Sequence, residues 1–210
     1  MPASVRPHLG SIVDLIAKAE NIPGHRLGQL FLAYLPTLGR ISSPSVLCFH
    51  TSRLDLDTDG STDSWGGVAT EGSTHKYKGS IGKVDSNATP YFVLPLTDKH
   101  TDSNWVGKDH GIHVGDVGVI IAKNKLLFAQ LCDIGPSTKL GEASIAAHRF
   151  FGHDVMHDKH GNKRARVLDS DVSGDFVTIV FPGSGRFQTM SNAEIESRAK
   201  PLFTKLGGML

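Results

Sequence analysis

The chain has 210 residues, 39% of them hydrophobic and 20% charged, with a formal net charge of +1; that is enough apolar material for one substantial core. No long run of one sign marks a nucleic-acid surface or a polybasic membrane patch. No apolar stretch nears the roughly 20 residues that span a bilayer, and "SIVDLIAKAENIPGHRLGQLFLAYLPTL" is too interrupted by charge and proline to read as a signal-peptide core, so no export address is visible.

In the amino-terminal segment, Ile12, Leu15, Ile16 and Ala19 fall at helical spacing, and Leu27, Leu30, Phe31, Tyr34 and Leu35 continue it after Pro23-Gly24. The pattern predicts two short helices and an amino-terminal helical segment over 1–42. The remaining residues, 43–210, change character. Short apolar runs bounded by glycine, proline and aspartate, "VLCFH", "YFVLP", "VGVIIA", "LLFAQLC" and "FVTIVF", predict strands. "VGVIIA" and "LLFAQLC", joined by Lys123, Asn124 and Lys125, predict a hairpin with Asp133 at its exit. "EASIAAHRFFG" predicts a helix that starts at Glu142 and closes on Gly152. "HDKHGNKRAR" reads as a solvated loop, and "SNAE" at 191–194 as a capping box opening a last helix through about Lys200, which Pro201 terminates or kinks. Cys48 and Cys132 both sit in apolar surroundings, which suits two buried thiols or one disulfide equally.

Two carboxylates stand out in "LCDIGPSTKLGEAS": Asp133 ends an apolar run and Glu142 opens the next element, with glycine and proline letting the loop between them fold back. Hydrolysis of a glycosidic bond needs a proton for the leaving oxygen and, with inversion, a base for water on the opposite face, from two carboxyl groups about 6.5–9.5 Å apart. The same two residues also suit a turn aspartate followed by a helix-initiating glutamate. Residues 53–71 are locally acidic, carrying Asp55, Asp57, Asp59, Asp63 and Glu71 against Arg53 alone. Within them "DLDTDG" has the form of an opening calcium loop, but the twelfth place counted from Asp55 is Gly66 rather than the bidentate glutamate such loops require. Asp57 suits a hydrogen-bonded turn around Gly60, whereas Asp55 and Asp59 share a face of an extended segment. Trp65, Tyr91 and Trp105 suit either core packing or stacking against a sugar ring, with Tyr91 in "YFVLP" read as partly core. His148, His153, His157 and His160 lie close in sequence, yet Gly152 and the polar run around them favour structural or solvated roles over a zinc site.

"LCDIGPSTKLGEASIAA" resembles the strand-end signature of glycoside hydrolase family 75, the fungal-type endo-chitosanases. "TSRLDLDTDGS", "TPYFVLP", "GIHVGDVGVIIAKNKLLFA" and "VTIVFPGSG" resemble further motifs of that family in the same order, so the likeness runs from about Val46 to Gly185. Thr58 stands where the family usually has cysteine, Cys132 where it has glycine and Ile134 where it has threonine, so the disulfide of secreted relatives is expected to be absent. The resemblance implies a mainly β (α+β) fold, a small six-stranded double-psi-like β-barrel with peripheral helices, and a chitosanase-like catalytic domain over 43–210. It implies a secreted, monomeric glycoside hydrolase that cuts internal β-1,4 bonds of chitosan with inversion, without cofactor or metal and with no nucleic-acid or membrane partner. Asp133 and Glu142 match the family's essential pair, with Glu142 as general acid and Asp133 as base. A glutamate at a helix N-terminus is, against this, stabilised as the anion. Asp55, Asp57, Asp59, Trp65 and Trp105 are the expected substrate contacts, the carboxylates attracting the polymer's amines. A peptidoglycan hydrolase or lytic transglycosylase, or a non-catalytic expansin-like carbohydrate-binding module, remain the alternatives.

Overall fold

A computed structural model describes residues 29–33, 46–60, 84–94, 111–122, 125–135, 141–153, 155–157, 165–167, 173–205 and 208. Its strands are β1 (Gln29–Ala33), β2 (Val46–Arg53), β3 (Asp55–Asp57), β4 (Tyr91–Val93), β5 (Val117–Ala122), β6 (Lys125–Asp133), β7 (Glu142–Ser144), β8 (Val155–His157), β9 (Ala165–Val167) and β10 (Ser173–Phe181), and its helices α1 (Ile145–Phe151) and α2 (Asn192–Lys205). Eight strands form one sheet in the order β1-β2-β10-β5-β6-β4-β7-β3, while β8 and β9 pair separately. The fold is therefore mainly β, as expected. Among the described residues β1 and β3 are the free ends of the ladder, and a pairing that would close it into a double-psi barrel is not among them.

The central strands are apolar on both sides because both faces are covered. On β10 and β5, Phe176, Val180, Ile120 and Ala122 join one buried cluster with Tyr91, Phe92, Leu131, Ala147 and Phe151. Their alternates Val177, Ile179, Phe181, Val117 and Val119 join the other, beneath Ile195, Ala199 and Phe203 of α2. The hairpin is in register from Val117 opposite Gln130 to Ala122 opposite Lys125, so Lys125 begins β6 rather than belonging to the turn.

Three buried polar anchors fix the loops around this sheet. Asp116 accepts hydrogen bonds from the backbone N–H groups of His113 at 2.9 Å, Gly183 at 3.1 Å and Gly185 at 2.9 Å, tying the entry to β5 to the exit from β10. Gln130 donates from Nε2 to the carbonyls of Gly115 and Gln188, and its Oε1 accepts from Met190 N–H. Ser144 caps α1, its hydroxyl accepting from Ala147 N–H at 3.2 Å and from Tyr91 N–H at 3.1 Å. Gly152 closes the same helix in the left-handed region, at φ 85°, with its own N–H on Arg149 O and that of His153 on His148 O.

Several sequence expectations change. Within the second expected helix, residues 29–33 form β1 instead, pairing in register with β2; tertiary pairing overrides a weak periodicity. The first expected helix lies outside the described residues. Glu142 does not open α1: it begins β7, and the helix starts three residues later behind Ser144. Pro201 neither stops nor ends α2, which runs to Lys205; Phe203 stays in the apolar row with Ile195 and Ala199 and packs edge-on to Phe128, offsetting the lost backbone bond. The ends of the histidine-rich stretch are not loop but the short ladder of β8 and β9. The capping box is present, with Ser191 N–H on Glu194 Oε2 at 2.9 Å and Glu194 N–H on Ser191 Oγ at 3.3 Å. Cys132 is a free, buried thiol.

Replacing Asp116 with Ala strands three backbone donors at a buried site, at about 1–3 kcal/mol for each left unsatisfied. Urea denaturation should show a loss of about 3 kcal/mol or more; a loss below about 1 kcal/mol would remove Asp116 from its anchoring role.

Candidate functional site

The site is built on one strand of three residues. Val93 of β4 pairs on one side with Asp133 of β6 and on the other with Glu142 of β7, and Glu142 pairs in turn with Asp55 of β3. The four residues therefore form a row across adjacent strands, and residues opposite each other in a ladder present their side chains to the same face. Asp133 joins this row only because the pairing slips. Phe92 lies opposite Leu131 but Val93 opposite Asp133, so Cys132 is the extra residue of a bulge. Without it Asp133 would turn to the opposite face.

Beyond the row, Gly135 keeps the site open. Its N–H donates to Leu94 O at 3.2 Å, holding the chain after β6 alongside β4, and a side chain there would press on Val93 Cγ1 and reach 3.4 Å from Glu142 Oε2. The "DIGP" glycine thus leaves room beside the Glu142 carboxylate.

Asp57 and Asp59 close the other side. Asp57 is 7% exposed; its Oδ1 accepts from Asp59 N–H at 2.9 Å, the turn expected from the sequence, and its backbone carbonyl accepts from Ser86 Oγ at 2.7 Å. Ser86 Oγ accepts in turn from Ile145 N–H at 3.0 Å, linking this loop to the start of α1. The Tyr91 hydroxyl donates to Asp59 O at 3.1 Å. Gly60 follows at φ 74°, where a Cβ would collide with the carbonyl of Val84, so the turn admits only glycine. Asp57, Asp59 and Asp133 each place one oxygen within 4.8 Å of the others, a spacing at which they could share a cation.

Burial and neighbouring negative charge favour the neutral forms of Asp57 and Asp133. Burial raises Asp133 to about 7, aided by the negative charges of Asp59 and Glu142, against a backbone hydrogen bond from Ile134 that lowers it. Burial, with the charge of Asp59 behind it, raises Asp57 well above the usual carboxylate range. Asp55 is set apart: its Oδ1 accepts from Arg53 Nε at 2.6 Å on a more exposed part of β3.

His148, fully buried, stands behind this edge. Its Nε2 lies 3.1 Å from Asp55 O and its Nδ1 2.9 Å from His153 Nδ1. Because a carbonyl only accepts, Nε2 carries the hydrogen and Nδ1 accepts from His153. Burial lowers His148 to about 4, so it is a neutral brace for β3. Tyr91 is fully buried and packs in the core. Trp65 and Trp105 lie outside the described residues. Gly135, Ser86 and the Val93 position were not singled out from the sequence. The glycine of "DIGP" was the available signal; the other two depend on partners distant in the chain.

Two acid side chains carried to opposite flanks of one strand, on a mainly β sheet with an acidic border, equip a protein for acid–base cleavage of a polar polymer, the work of glycoside hydrolases. The model for the family described as fungal chitosanase of glycosyl hydrolase group 75 matches residues 53–207, and the chain belongs to that family. It is accordingly a chitosanase-type glycoside hydrolase. No curated protein matches the chain.

The pH dependence of His148 tests its bracing role. Its pKa is lower in the fold, about 4, than the unperturbed 6.5, so its contribution is fully present above pH 6.5 and is lost as pH falls through about 4, to a limit of about 3 kcal/mol. His148→Gln should be most destabilising at pH 7, with the gap to the unaltered protein narrowing by pH 4.5 in urea melts; a gap independent of pH would contradict the assignment.

Proposed function

We propose that the protein is an endo-chitosanase that cuts internal β-1,4 bonds of a glucosamine-rich polysaccharide with inversion, Glu142 serving as general acid and Asp133 as general base. The observation that carries this reading is the shared pairing of Asp133 and Glu142 with Val93. Two strand spacings separate their backbones by roughly 10 Å, and side chains converging from that distance suit the wider carboxylate separation of inverting enzymes, which leaves room for a water. The objection that a helix terminus would hold Glu142 as an anion falls away. Glu142 lies on β7, and the first-turn N–H of Ala147 is given to Ser144 Oγ instead.

The polymer brings positive charge to an acidic border, which favours binding of protonated amines over acetylated units. Asp55 and Asp59, both only partly buried, are the carboxylates placed to meet it, whereas Asp57 is too deeply buried to touch a polymer. Burial works against an ionised Asp133, and a protonated amine arriving beside Asp59 works for it. Trp65 and Trp105 are assigned to sugar stacking on their sequence context alone. The catalytic domain is taken as 43–210, monomeric and exported, as the family resemblance implies; among the described residues no helix is long and apolar enough to cross a membrane. The interleaved parallel pairs, β3 with β7 and β4 with β6, support a double-psi-like crossing of the chain.

Incubation with deacetylated chitosan, chitin and peptidoglycan in parallel tests the substrate, with product masses and anomeric configuration read by mass spectrometry and NMR. Oligomers released from chitosan with inverted configuration are expected, and Glu142→Gln and Asp133→Asn should each cut turnover by roughly 10²–10⁴-fold with an unchanged fold. Near-normal rates in either variant would remove that residue from the chemistry. Anhydro-ended products from peptidoglycan would move the substrate, and binding without new reducing ends would make the chain a carbohydrate-binding module.

A further inference from the structure

The loop "DLDTDG" enters the site with more carboxylate than chitosan cleavage requires. Read along the chain it lacks the ligand that completes a calcium loop, since Gly66 occupies the twelfth place. In three dimensions a carboxylate arrives from elsewhere: the bulge of β6 carries Asp133 to Asp57 and Asp59, one oxygen of each within 4.8 Å of the others. Calcium binds oxygens at about 2.3–2.6 Å, so the ligands around it lie no more than roughly twice that distance apart. The loop also has the sharp turn of a cation loop, with Gly60 at φ 74°.

An independent observation points to a ligand. Asp57 is more than nine-tenths buried, its Oδ1 is taken by Asp59 N–H, and its Oδ2 is buried with no hydrogen-bond partner. A buried carboxylate oxygen without a partner is costly, and a bound cation satisfies it. Among the described residues no basic side chain does so, and Arg53 has its Nε on Asp55.

We propose that Asp57, Asp59 and Asp133 bind a hard divalent cation, with calcium preferred to magnesium. Calcium accepts an irregular set of carboxylates and completes its shell of six to eight oxygens with water, whereas magnesium demands near-octahedral geometry. The cation ties β3 and its following loop to the bulge of β6 and offsets the negative charge gathered there. Held through one oxygen, Asp133 retains its second for the water of the reaction. The site goes beyond the family resemblance, which implies no metal, and it stands whether or not chitosan is the substrate.

The full chain, stripped with a chelator, is titrated with terbium under excitation of its aromatic side chains, Tyr91 being linked directly to Asp59. Calcium is then added in competition, and thermal melts are recorded with calcium and with magnesium. Sensitised emission reversed by calcium is expected, with a Tm rise of roughly 5–10 °C at a hundredfold excess over Kd and a smaller one with magnesium. Asp57→Asn and Asp59→Asn should each weaken calcium binding by more than about tenfold, while Glu196→Gln, an exposed change on α2, should bind as the unaltered protein does. If Asp57→Asn fails to fold, Asp59→Asn carries the comparison. Absence of both terbium emission and a calcium-dependent Tm shift would overturn the site, as would unchanged affinity in the two aspartate variants. Because these readouts do not involve catalysis, a chain that binds calcium but leaves chitosan intact would refute the substrate and keep the site.

Discussion

Val93 is bonded to a strand on each side, and the site depends on that double pairing. A three-residue strand in the interior of a sheet has no freedom to shift: moving it by one residue would turn its side chains to the other face and separate Asp133 from Glu142. The neighbouring anchors all serve to hold it. Ser144 Oγ takes Tyr91 N–H at the start of β4, Leu94 N–H returns to Asp133 O, and Gly135 N–H returns to Leu94 O. The carboxylates are thus positioned by backbone hydrogen bonds, which are shorter-ranged and stiffer than anything their own side chains could supply.

Charge is the second constraint. Asp57, Asp59, Asp133 and Glu142 act on one another in a partly dry edge, where repulsion is far stronger than in bulk water. Protons or cations relieve that repulsion. The proposed polycationic substrate and the proposed divalent ion would answer the same electrostatic demand on different timescales, one arriving with each turnover and the other remaining.

The longer strands could be read from the sequence because burial on both faces left continuous apolar runs in "VGVIIA", "LLFAQLC" and "FVTIVF". The signature around Asp133 and Glu142 was legible too, and with it the family. What sequence could not convey were elements made by partners. β3 and β7 are three residues each, too short for any periodicity, and exist because they pair with each other. Glu142 reads as a helix start since Ala-rich "EASIAAHRFF" favours a helix throughout; only the hydroxyl of Ser144 settles where the helix begins. The bulge at Cys132 has no local signal at all. Local propensity describes what a segment prefers in isolation, whereas the pairs that build the site join distant positions, Val93 with Asp133 and Asp55 with Glu142.

β1 lies wholly before the family-matched residues, and β2 almost wholly so. β2 is bonded on its inner side to β10 and on its outer side to β1. Remove the amino-terminal segment and the outer row of N–H and C=O groups along Val46–His50 faces solvent, a template for adding a strand from another molecule. Residues 29–33 thus act as a guard on the sheet's exposed border. A chain begun at Val46 would bare that edge of β2, whereas one trimmed to the matched residues would lose β2 as well and bare β10 in its place, so β1 bears on self-association.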